Sequence, residues 1–131
     1  VAFTAAPEPV APSEPTEPSV ATAELLERID GDRAFLAELL DLFREDYPAQ
    51  INAAREAART GDAATLQRVG HALKRALGNL AAPVSARMAG QIEAMGRNGN
   101  VQSATAAVNE LELELDRVIT ILDSLCMETT Q

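Results

Sequence analysis

The chain is expected to be all-α, an antiparallel up-down-up-down four-helix bundle with a short N-terminal capping helix. Three observations predict this. Apolar residues recur at spacings of three and four from residue 22 almost to the C-terminus. Turn signals at Asp30-Gly31, Thr60-Gly61 and Asn98-Gly99 interrupt that pattern, each just ahead of a residue able to cap a new helix. Five of the seven prolines lie before residue 19, so the remainder is nearly free of helix breakers.

Residues 1–20, VAFTAAPEPVAPSEPTEPSV, carry Pro, Glu, Ala and Ser without helical periodicity. Such a tract has too little apolar surface to repay ordering and is expected to be a disordered linker. With Val1 rather than Met at its start, it is read as a tether to a longer protein. A first helix is expected over 22–29, ending where Gly31 suits the left-handed C′ position. Asp32 then caps a helix over 33–59, with Leu36, Leu40, Phe43, Tyr47, Ile51, Ala54 and Ala58 on one face. Pro48 lies inside this run and should kink or divide it. The third helix, 62–80, has its stripe at Leu66, Val69, Leu73, Ala76, Leu77 and Leu80.

Pro83 fits the first turn of a fourth helix, 83–97, with Val84, Met88, Ile92 and Met95 facing in and the methionines as core filler. The last helix, 101–126, lines up Val101, Ala104, Val108, Leu111, Leu115, Val118, Leu122 and Leu125. The bundle domain is therefore placed at 21–127, with a tail at 128–131. Turns of two to four residues between long helices imply antiparallel neighbours. The stripes satisfy one another, so the core needs no cofactor.

Composition narrows the function. There is no Trp, three Phe and one Tyr, so the core must be aliphatic. A net charge of −9 argues against nucleic acid as the main partner and favours a monomer. No apolar run approaches the roughly 18 residues of a membrane span. The single Cys126 cannot form an internal disulfide, which fits a reducing, cytoplasmic setting.

His71 is the only histidine. At about 100° per residue it lies roughly 200° from both Val69 and Leu73, away from the buried stripe. Its neighbours at i±3 and i±4 are Gln67, Arg68, Lys74 and Arg75. An exposed imidazole ringed by cations on an acidic protein suits the acquisition of an anionic group. Other chemistries lack their residues. A di-metal bundle needs Glu-x-x-His pairs on two helices, and one histidine cannot supply them. A Cys126–His71 nucleophile pair would need the end of the last helix to reach the middle of the third. Gly96 and Gly99 read as turn glycines rather than a phosphate-binding loop.

The stretch His71-Ala-Leu-Lys-Arg-Ala-Leu-Gly-Asn-Leu-Ala-Ala82 resembles the histidine-phosphotransfer (HPt) family, whose helix reads roughly H-x-L-K-G-x-x-x-x-L-G-A. His71, Leu73, Lys74, Leu80 and Ala82 match, and Asn79 is also common there. The likeness extends over about 24–125, through the LLERIDGD start, the DLFREDYP segment, the TGD turn and the long final helix. It implies that His71 takes a phosphoryl group from a receiver-domain aspartate and passes it on, with Lys74 supplying part of the charge. Gln67, Arg68, Arg75 and Gly78 are the implied receiver-docking or phosphate-binding residues. The receiver is expected to bring the metal, so this domain needs neither metal nor ATP of its own. A histidine kinase core in the same chain, as in a hybrid sensor kinase, or a multidomain regulator is the implied context.

In the family, a side chain 22 residues beyond the histidine often bonds the imidazole. That position is Glu93, which either orients the ring and favours imidazolium or is a solvated surface carboxylate; Gln91 is the weaker alternative. The family's Gly after the Lys is Arg75 here, which could occlude the site, ligate the phosphate or be a neutral surface change. Its second Gly is Ala81, a change expected to be mild. The competing reading is a non-phosphorylated helical adaptor that binds a receiver-like or other partner through the face around His71.

Overall fold

The computed structural model describes residues 18–127. They form five helices: α1 Thr22–Arg28, α2 Arg33–Thr60, α3 Ala63–Asn79, α4 Pro83–Asn98 and α5 Ala104–Met127. The four long helices close a ring in which α2 packs on α3 and α5, and α4 packs on α3 and α5. Short turns make sequence neighbours antiparallel. Leu25, Leu36, Ile51, Leu66, Leu77, Ile92, Leu111, Leu115 and Leu122 fill the centre, each under 2% exposed except Ile51 at 2%. Fully burying one such side chain is worth about 1.5–3 kcal/mol. Phe43 and Tyr47, one turn apart on α2, stack with ring centroids 5.0 Å apart.

The helix limits follow from local chemistry. The Asp32 carboxylate accepts from Phe35 N at 3.0 Å and opens α2. Asp62 does the same for α3, accepting from Thr65 N at 3.1 Å. Pro83 is the first residue of α4. Gly61 and Gly99, with φ of 79° and 72°, close α2 and α4 in the left-handed conformation.

Several expectations need correction. Pro48 does not divide α2, which runs unbroken for 28 residues. Pro48 is exposed, so the carbonyl its ring deprives of a donor lies on the side where water can meet it. On α2 the buried alanine of the last turns is Ala57, with Ala58 only half-buried. On α4 the inner line is Ser85, Ala89, Ile92, Glu93 and Gly96, while Val84, Met88 and Met95 flank it half-buried. The large apolar residues are displaced because small ones are needed where α3 presses closest. Gly96 is accordingly no turn residue but lies within α4. The last helix starts at Ala104 rather than Val101, whose carbonyl accepts from Ala104 N in the preceding turn. Asp30, not Gly31 alone, takes a left-handed conformation after α1, with φ of 60°.

Ala81 is the largest departure. Its φ is 55°, and it closes α3 through paired bonds, Ala82 N to Leu77 O at 3.0 Å and Ala81 N to Gly78 O at 3.1 Å. This is the Schellman arrangement, in which the C′ residue must be left-handed. A Cβ there is strained, so alanine in place of glycine is not a mild change.

The N-terminal side is tied to the same corner. Ala21 N donates to Ala81 O at 2.7 Å, and Arg28 Nη1 donates to Gly78 O at 2.7 Å. Val20, assigned to the linker from composition, is 4% exposed and belongs to the core. The remainder of that tract up to residue 17, and the tail at 128–131, lie outside the described residues. Among the described residues, no helix is long and apolar enough to cross a membrane.

Candidate functional site

The site begins with two helices that touch backbone to backbone. A Cβ built on Gly70 would lie 2.4 Å from Glu93 N and 2.9 Å from Ala89 O. One built on Gly96 would lie 2.4 Å from Gln67 N and 2.6 Å from Ala63 O. Only glycine permits this approach. It sets Glu93 of α4 against the residue that precedes His71 on α3.

His71 points off the buried stripe, its side chain 51% exposed. Its Nδ1 lies 3.0 Å from Glu93 Oε2. Glu93 is no solvated surface carboxylate: the residue is 7% exposed and ranks among the few buried charged groups of the core. Burial of a carboxylate demands partners. Lys74 Nζ meets Oε1 at 2.9 Å, and Arg97 Nη2 stands 3.4 Å from Oε2. The Lys74 stem crosses Gly90, where an added Cβ would sit 3.3 Å from Lys74 Cδ. Hydrogen bonding from the Lys74 ammonium holds the Glu93 carboxyl below its ordinary range. Burial opposes this, and the bond from His71 adds to it.

The anchored nitrogen decides the chemistry. A carboxylate accepts only, so this contact requires the hydrogen on Nδ1, and in the neutral ring that leaves the lone pair on Nε2. An open cleft of about 500 Å³ runs beside the ring, lined by Ala64, Gln67, Arg68, His71 and Glu93. The arrangement offers an anchored, half-exposed imidazole with a counter-charge behind it and cations nearby.

The other sequence-derived candidates are dispersed. Gln67 and Arg68 wall the cleft. Arg75 is exposed on the solvent face of α3, outside the Glu93 cluster. Gly78 is two turns away, and its carbonyl is taken by Arg28 and Ala81. Gln91 is exposed and is not brought to the imidazole. Arg97 and the small residues Gly70, Ala89, Gly90 and Gly96 were missed. Arg97 sits four residues after Glu93, a spacing that signals a helical ion pair. Glycines inside helices cost stability, so each should have prompted a search for a close neighbour.

Comparison with known proteins bears on the fold and the family. The fold superposes on the crystal structure of histidine-containing phosphotransfer protein B (HptB) from Pseudomonas aeruginosa PAO1 with a TM-score of 0.77. The match covers 85% of this chain and 96% of that one at 23% identity, a level that speaks for the fold. No curated protein sequence matches. A family model described as the Hpt domain matches residues 38–121, a span that includes α3, α4 and most of α2 and α5. The chain belongs to the Hpt domain family, the histidine-phosphotransfer modules of phosphorelays.

Proposed function

We propose that the phosphotransfer of this family runs here through His71. The observation that carries the reading is the anchoring of the lone histidine: Nδ1 is held at 3.0 Å by a buried carboxylate, while the side chain as a whole is half exposed. Hpt domains interact with receiver domains. In the proposed step, His71 Nε2 attacks the phosphorus of a receiver's aspartyl phosphate. A P–N bond forms, the P–O bond to the aspartate breaks, and the aspartate carboxylate departs with the bonding pair. Both ring nitrogens are then substituted, so the ring becomes cationic as the bond forms. Glu93 faces that charge across Nδ1–H and stabilises it. The reverse step delivers the phosphoryl group to a second receiver.

Lys74, one turn on from His71, is the cation assigned to the moving phosphoryl group. In the resting domain its ammonium is directed to Glu93 Oε1. Rotation about its flexible stem gives it access to a phosphoryl oxygen on Nε2. Arg68, Gln67 and Arg75 complement a receiver's acidic pocket from the surrounding face. The mutual satisfaction of the helix stripes and the net charge of −9 support a monomeric domain, and the lone Cys126 supports a reducing, cytoplasmic setting. The composition of residues 1–17 supports a tether, and the family likeness makes a hybrid sensor kinase or a multidomain regulator the proposed parent protein.

The test is labelling of the full chain from a phosphorylated receiver. His71→Gln should keep the helical fold, because the side chain leaves no cavity, and should abolish acid-labile labelling. Labelling that survives His71→Gln would refute the assignment. A helical adaptor using the same face would bind a receiver equally well with Gln at position 71 and accept nothing.

A further inference from the structure

Glu93 faces three groups, two of them cations, with two oxygens. Lys74 takes Oε1, while Oε2 is shared between His71 Nδ1 and Arg97. This sharing bears on the nucleophile, and the consequence rests on His71 being the phosphoryl acceptor. A buried carboxylate with no partner but an imidazole draws a second proton onto the ring. The doubly protonated ring has no lone pair and cannot attack phosphorus. A carboxylate already engaged by an ammonium and a guanidinium is a weaker acceptor. It orients the ring through Nδ1–H without holding Nε2 protonated.

We propose that Arg97 is a positioning residue of the phosphotransfer site, acting with Lys74 to temper Glu93 so that His71 stays a neutral, correctly turned nucleophile. The placement supports this. Arg97 lies in the last turn of α4, one turn beyond Glu93, beside the Gly96–Gln67 contact that brings α4 against α3. The lowered Glu93 carboxyl is consistent with a carboxylate held by cations, Lys74 foremost. The charged and titratable groups around His71 are Arg68, Lys74 and Arg75 on α3, and Glu93 and Arg97 on α4. On the far side of α3, at Ala76, Asn79 and Leu80, α2 contributes Asp46. A plain surface role is the alternative for Arg97: a cation near a helix C-terminus, worth little beyond its interaction with the helix dipole.

The experiment uses the full chain and reads two quantities. Ring-nitrogen NMR follows protonation of His71 directly, and labelling from a phosphorylated receiver follows acceptance, both between pH 5 and 8.5. Arg97→Gln should move the His71 titration upward by about half a pH unit. Acceptance should then slow about threefold on the acid limb, with a smaller loss at pH 8. Arg97→Lys should restore the wild-type profile. In a Glu93→Gln background Arg97 has no anchor, and Arg97→Gln should shift the titration by less than half as much. An unmoved titration in Arg97→Gln, or an equal shift in both backgrounds, would overturn the proposal and leave Arg97 a surface charge. Absence of labelling in the wild type, with the NMR shifts as expected, would instead refute His71 as acceptor and leave the ring–carboxylate–guanidinium coupling standing.

Discussion

Gly70→Ala tests the closeness of α3 and α4 more severely than any change to the charged residues. The new methyl would meet Glu93 N at 2.4 Å, and ordinary contact begins at 3.4 Å, so the helices must part by about 1 Å. The obstacle is backbone, which cannot swing aside. Overpacking of this kind costs about 1–3 kcal/mol. Alanine returns up to about 1 kcal/mol of helix propensity. The net loss should be about 1–2 kcal/mol, or roughly 5–10 °C in melting temperature for a domain of this size. A 1 Å retreat would also stretch the 3.0 Å contact between His71 Nδ1 and Glu93 Oε2 beyond hydrogen-bond range. Gly78→Ala is the control. It lies in the same helix, and its Cβ would meet nothing within 4 Å. It should gain a few tenths to about 1 kcal/mol. Thermal unfolding of the two variants, with ring-nitrogen NMR, measures both effects. A Gly70→Ala variant as stable as Gly78→Ala would show that Gly70 does not meet α4.

Other perturbations follow from particular contacts. Ala81→Gly should stabilise the domain by about 1 kcal/mol, because it relieves a left-handed alanine; a lower urea midpoint would contradict the assigned conformation. Val20→Ala should cost about 2 kcal/mol, since the side chain is 4% exposed, whereas deleting residues 1–17 should leave the melting temperature nearly unchanged. The Glu93 carboxyl titrates below its unfolded value, so its contribution to stability is complete above the ordinary carboxylate range. That contribution should be lost as pH falls below about 4.3, and Glu93→Gln should flatten this part of a stability–pH curve. Arg75→Gly should cost about 1 kcal/mol of helix stability and speed transfer if the guanidinium obstructs the receiver; an unchanged rate would mark Arg75 as a neutral surface residue.

What was legible in the sequence was local. Asp32, Asp62, Pro83, Gly61 and Gly99 act through bonds within a few residues, so they announce where helices start and stop. His71 was legible because one residue's angle from a stripe depends on helix geometry alone. The burial of Glu93 was not, since it follows from contact between two helices separated by a turn. Gly96 was misread for the same reason: a glycine three residues before a helix stop looks like part of the stop until another backbone is found against it. The shift of the α4 inner face from Val84 and Met88 to Ser85 and Ala89 has the same origin. Ala81 was misjudged because helix propensity was applied to a residue whose conformation is not helical. The spacing of 22 between His71 and Glu93 came from family likeness, and no periodicity within one helix could have supplied it.

The glycine seam between α3 and α4 has a consequence for motion. Side chains that meet across an ordinary helix interface ride on cushions of flexible atoms, and their separation fluctuates as the helices breathe. Here the two backbones rest directly on each other at Gly70, level with Glu93 and next to His71, and again at Gly96, against Ala63 and Gln67. Ring and carboxylate are therefore carried on what is mechanically a single plate. The rest of the bundle can flex while a partner docks, and the 3.0 Å between them is insulated from that flexing.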